Sequence, residues 1–183
     1  MIRMPSPSFR CAAWSAAVLS LGLALAGPAA AQGAPAPAAS APVPAARGPA
    51  LELALEAAQA ALQACSARQQ RIGVTVVDSA GVGKVLLASD GASPRGVQSS
   101  HDKAATALKF QAATSQVGKQ AATDAALAAQ LAADSSLNSR AGGVLLKAGD
   151  AVIGAIGVGG ARGSEIDEAC ALAGVERVQA RLQ

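Results

Sequence analysis

The chain is poor in the side chains that most often carry recognition and catalysis. It has no tyrosine, one tryptophan, two phenylalanines and one histidine in 183 residues, and charged residues make up 15%. With no aromatic platform to stack bases on, it does not read as a binder of single-stranded nucleic acid. With Cys11 set aside as part of an expected leader, one histidine and two distant cysteines leave it short of donors for a closed zinc site, which takes four. What it has in abundance is small and apolar: hydrophobic residues make up 51% and there are 19 glycines.

Much of what is scarce also sits at the front. Arg3 and Arg10 form a positive n-region, residues 12–26 an apolar h-region, and Pro28-Ala29-Ala30-Ala31 ends in a small-x-small pattern. This predicts a secretory signal peptide over residues 1–31, cut before Gln32, and a periplasmic or secreted product. A membrane anchor would need roughly 20 apolar residues, so no membrane span is expected after cleavage. No twin arginine precedes the run, which favours Sec export, and Cys11 lies ahead of it, which argues against a lipoprotein site. Cleavage would remove Trp14, Phe9, Cys11 and both methionines, leaving Phe110, His101, Cys65 and Cys170 as the only residues of their kinds. Taking Arg3 and Arg10 from the 15 lysines and arginines leaves 13 against 12 acidic residues, so the basic balance carries no nucleic-acid signal.

Residues 32–49 read as an Ala/Pro-rich linker with five prolines and one charge. Residues 50–183 are the size of one ordinary domain. Leu51, Leu55, Ala58, Leu62 and Cys65 recur at helical spacing and predict a helix with one buried stripe. Residues 72–78 and 85–88 read as a hairpin around Ser79-Ala80-Gly81, and Asp90 to Pro94 breaks the sheet. A second helix is expected from Ser99 or Ser100 through Phe110, and an Ala-rich third over about residues 121–133. Residues 144–147 and 152–158 form a second hairpin turning at Gly149-Asp150. Gly154 and Gly157 on its apolar strand imply close approach of another element. A terminal helix follows, with Ser164 as its expected cap and Glu165, Asp167 and Glu168 suited to its dipole. Helix, hairpin, helices, hairpin, helix is an α/β (α+β) pattern around a mainly antiparallel sheet.

Few motifs survive scrutiny. Gly157-x-Gly159-Gly160 precedes a helix, but Arg162 takes the third glycine's place of a dinucleotide fingerprint, and no strand follows to supply a ribose-binding acid. Ser100-His101-Asp102 holds triad residue types, yet neighbours on a helix point about 100° apart and cannot act on one another in sequence. His101 shares a helical stripe with Val97, Ala104 and Leu108. It reads either as a surface or satisfied core residue, or as the axial ligand if haem iron is bound through a neutral side chain. Lys103 points elsewhere, toward Asp78 or Asp90. Cys65 and Cys170 fall on the first and last helices. They are either two buried thiols or a disulfide closing about 105 residues, which the chain-entropy estimate values at roughly 4–5 kcal/mol.

Several segments in series resemble the GlcG/HbpS-type haem-binding family. They are residues 74–81, Asp90-Gly91-Ala92, Lys103-Ala104-Ala105-Thr106-Ala107 with Phe110, Gly142-Gly143, and residues 152–160 followed by Asp167-Glu168. The resemblance covers about residues 51–182. It implies a profilin-like or PAS-like antiparallel sheet of about five strands with helices on both faces, and homo-oligomers. It also implies an exported, non-enzymatic haem-binding protein for sequestration or sensing, with a sensor protein as possible partner. On this reading haem is the cofactor, His101 the metal ligand, and Lys103, Thr106 and Phe110 line the same site. The alternative is an accessory factor or enzyme acting on a small carboxylic acid, as in glycolate metabolism, with Lys103, Thr106 and Asp78 lining an anion-accepting pocket. Ser89 and Ala105 depart from the family pattern, which has a charged residue and often an aromatic there.

Overall fold

The computed structural model describes residues 46–183. The signal-peptide reading of residues 1–31, and the linker reading up to residue 45, lie outside the described residues. At the linker's end, the Arg47 carbonyl accepts a hydrogen bond from the Ser79 N–H at 2.8 Å, which pins the chain to the first hairpin.

The elements are α1 (Leu51–Ser66), β1 (Gly73–Asp78), β2 (Gly83–Ala88), α2 (Pro94–Phe110), α3 (Thr114–Ala121), α4 (Ala125–Ala133), β3 (Gly143–Ala148), β4 (Ala151–Gly159) and α5 (Ser164–Val178), closed by a 3-10 turn. The four strands form one antiparallel sheet in the order β2-β1-β4-β3. The α+β class is therefore as expected, with four strands where the family resemblance implies about five. The stretch between α2 and β3, where another strand could enter, is instead helical in α3 and α4.

Alternation along the two central strands builds two faces. Val74 and Val76 of β1, with Ile156 and Val158 of β4, join the main core beneath α1 and α5. Val77 and Ala155 face α2, packed with Ala104 and Ala107. On that second face Gly157 lets the helix backbone come close: a Cβ there would run into the Ser100 carbonyl and lie 2.7 Å from the Ala104 nitrogen. Thr75 and Ser100 share a buried hydrogen bond of 2.8 Å across the same contact.

The local surprises have physical causes. α1 buries Ala54, Ala57, Ala58, Ala61 and Cys65, while Leu51 and Leu55 remain exposed. It lies so close to α5 that a Cβ on Gly174 would be 2.6 Å from the Ala57 carbonyl, so only small residues fit the seam. Helix α2 starts at Pro94 rather than Ser99, because proline is tolerated at the first helical position and Ser93 caps the Gly96 N–H at 3.0 Å. The expected Ala-rich helix is α4, which begins at Ala125 rather than about residue 121 because Asp124 accepts from the N–H groups of Ala126 and Leu127 and caps its start. Helix α3 before it is unforeseen. Gly163, not Ser164, is the cap residue of α5, and Ser164 is its first helical residue. Cys65 and Cys170 are joined as a disulfide between α1 and α5, with Cα atoms 5.6 Å apart.

Candidate functional site

Helix α2 carries all four residues singled out above, but it does not bring them together. Lys103 is 2% exposed and points under the helix toward the end of β4. Its ammonium donates to Asp167 Oδ2 at 2.7 Å and to the Val158 carbonyl at 3.0 Å. Asp167 sits in the first turn of α5, and its other oxygen accepts the Ala161 N–H at 3.0 Å. Gly142 makes room for the pair: a Cβ there would lie 2.9 Å from the Lys103 ammonium. Burial pushes the Lys103 pKa below its ordinary value, against the opposing hydrogen bond and charge of Asp167.

This corrects the expected partners of Lys103. Asp78 is committed to the β1–β2 turn, where its Oδ1 accepts from Ala80 and Val82, both at 2.9 Å. Thr106 is equally occupied. Its buried hydroxyl donates to the Asp102 carbonyl at 2.7 Å and accepts the Asn138 N–H at 2.8 Å, fastening the loop before β3 onto α2. Phe110 is half-buried at the last position of α2, about 13 Å along the axis from His101. The His101 side chain is 49% exposed, with Nδ1 3.6 Å from Asp102 Oδ1. His101 and Lys103 thus occupy opposite sides of one helix, one facing solvent and one facing the sheet.

A cleft of about 550 Å³ opens beside Lys103. The starts of α2 and α5 border it through Ser93, Arg95, Gly96 and Ser164. Asn138 and Arg140, from the loop before β3, complete it. Asp102, Lys103 and Asp167 also line it, whereas His101, Thr106 and Phe110 do not. Arg95, Asn138 and Arg140 have no periodicity or motif to mark them in the sequence. Asp167 was visible as a charge suited to a helix start and as part of the family resemblance, but not as the partner of Lys103.

The sequence matches the family model described as haem degrading protein, HbpS-like, over residues 50–176. The chain belongs to the HbpS-like family. Among solved structures, this HbpS-like chain is 36% identical to HbpS, with 70% of this chain and 89% of that one covered and a TM-score of 0.65. It is 34% identical to a double mutant of HbpS from Streptomyces reticuli, with 78% and 97% covered and a TM-score of 0.67. A PduOC complex with haem, 20% identical over 71% of this chain and 94% of that one, shares the fold at a TM-score of 0.66. No curated protein matches the sequence significantly.

Proposed function

We propose that this chain is an exported, oligomeric haem-binding protein in which His101 ligates the iron. One observation carries the choice of ligand: among the described residues, His101 is the one strong neutral donor left available. The thiols of Cys65 and Cys170 are consumed in a disulfide. The Lys103 amine is held by Asp167 and the Val158 carbonyl, and the Thr106 hydroxyl is buried with both a donor and an acceptor satisfied. The imidazole is exposed on the solvent side of α2 and makes no hydrogen bond among the described residues, which leaves its Nε2 free for a metal. The haem-degrading description of the family and the PduOC complex with haem support haem as the ligand. When bound, the haem would supply an iron centre for sequestration or sensing. The chain's part is to present one imidazole on a rigid helix.

Titrating the purified protein with hemin is expected to give a saturable Soret shift that His101→Ala abolishes, with helicity unchanged because the side chain is half exposed. Light scattering on the same sample is expected to give a mass above that of one chain. A variant that binds hemin with the parent's spectrum removes His101 as ligand. A Soret band that bleaches under ascorbate and air, rather than persisting, replaces binding by degradation.

A further inference from the structure

The cleft beside Lys103 is a poor match for a porphyrin face. Its walls are mostly serines, amides and charged groups, and Leu137 is its one large apolar residue. What it offers is two guanidinium groups that no carboxylate among the described residues pairs with directly. Arg95 and Arg140 stand on its walls, and neither guanidinium has an ion-pair or hydrogen-bond partner among the described residues. Arg140 is near enough to Lys103 for their charges to oppose each other.

Three N–H donors belong to the Lys103 ammonium, and two are used, on Asp167 and the Val158 carbonyl. The third has no partner among the described residues, on a side chain that is 98% buried by its 2% exposure and lines the cleft. Helices α2 and α5 both begin at the cleft, and each adds the positive end of its dipole.

The charges also set the size of the anion. Lys103 and Asp167 cancel, Asp102 offsets one of the two arginines, and Glu165 is near enough to act on Lys103, so the cleft has little positive charge to spare. That balance suits a monoanion better than a phosphate or a dicarboxylate. Guanidinium groups present a planar fork that fits two carboxylate oxygens. We infer that this cleft is a binding site for a small monocarboxylate, held by Arg95 and Arg140 over the spare donor of Lys103, and separate from the haem ligand His101.

Calorimetric titration of the purified protein at pH 7 and constant ionic strength, with acetate and lactate as probes, tests this. Both are expected to saturate one site per chain. Arg95→Ala and Arg140→Ala are each expected to weaken binding about tenfold, the loss typical of one charge-assisted hydrogen bond. Arg140→Lys, which keeps the charge and loses the fork, should also weaken it. Both arginines are exposed, so these variants fold as the parent does. His101→Ala and prior saturation with hemin should leave acetate binding unchanged. Three results overturn the assignment: no saturation by either probe, tighter binding of phosphate or succinate than of the monocarboxylates, or displacement of acetate by hemin. The last would give the cleft to a haem propionate. Loss of hemin binding with acetate binding intact would sink the haem reading alone.

Discussion

Lys103 and Asp167 meet at 2.7 Å with side chains 2% and 5% exposed, tying α2 on one face of the sheet to α5 on the other around the end of β4. Removing one partner leaves a charge stranded in a dry place. Lys103→Met or Asp167→Asn alone is expected to cost about 3–5 kcal/mol in urea denaturation, and the double variant to recover part of that. The pH dependence has a definite sign. The folded state holds the Lys103 proton less tightly than the unfolded chain does, because burial lowers its pKa from the ordinary 10.5. Between the lowered pKa and that ordinary value, this group makes stability rise with pH. The stability of the parent relative to Lys103→Met should therefore increase through that alkaline window; a decrease would contradict the burial effect.

Gly157→Ala is expected to be among the most damaging single methyl additions in the domain. The new Cβ would meet the Ser100 carbonyl and the Ala104 nitrogen, both backbone atoms of α2, so no side chain can swing aside. Overpacking of this kind costs about 1–3 kcal/mol and at times more, and the upper end applies here. Gly149→Ala is a useful comparison, since a Cβ there meets nothing within 4 Å and only its φ of +57° is strained. A Gly157→Ala midpoint no lower than that of Gly149→Ala would show that α2 shifts freely.

Denaturing alkylation without reductant is expected to leave Cys65 and Cys170 unlabelled. Replacing both with serine should lower stability by about 4–5 kcal/mol in the chain-entropy estimate for so long a loop, which spans 105 residues here. Full labelling of both before reduction would remove the bridge from the native protein.

The sheet was legible because its residues announce themselves: β-branched runs at residues 74–77 and 152–158, turn glycines, and the glycines that implied a close neighbour. The disulfide pair was legible as one of two options. The side chains of α1 were misjudged because leucine spacing suggests burial, whereas the tight seam with α5 admits only alanine, glycine and the bridge. The cleft was the least visible part. Lys103 and Asp167 lie far apart in sequence, and Arg140 comes from a loop whose course is set by Thr106 and Asn138 rather than by its own pattern. A side chain's partner across such distances depends on topology, which local spacing does not encode.

The strand order also governs the sequence of events in time. Strand β4, late in the chain, sits between β1 and β3, both of which precede it. Until residues 151–159 are available, β1 has one open edge although all six of its residues are buried in the finished fold. A chain emerging from a ribosome must therefore hold a sticky half-sheet open until β4 has been made. Fragments ending before β4 are expected to aggregate rather than fold, and a holding chaperone would recognise the β1 edge first.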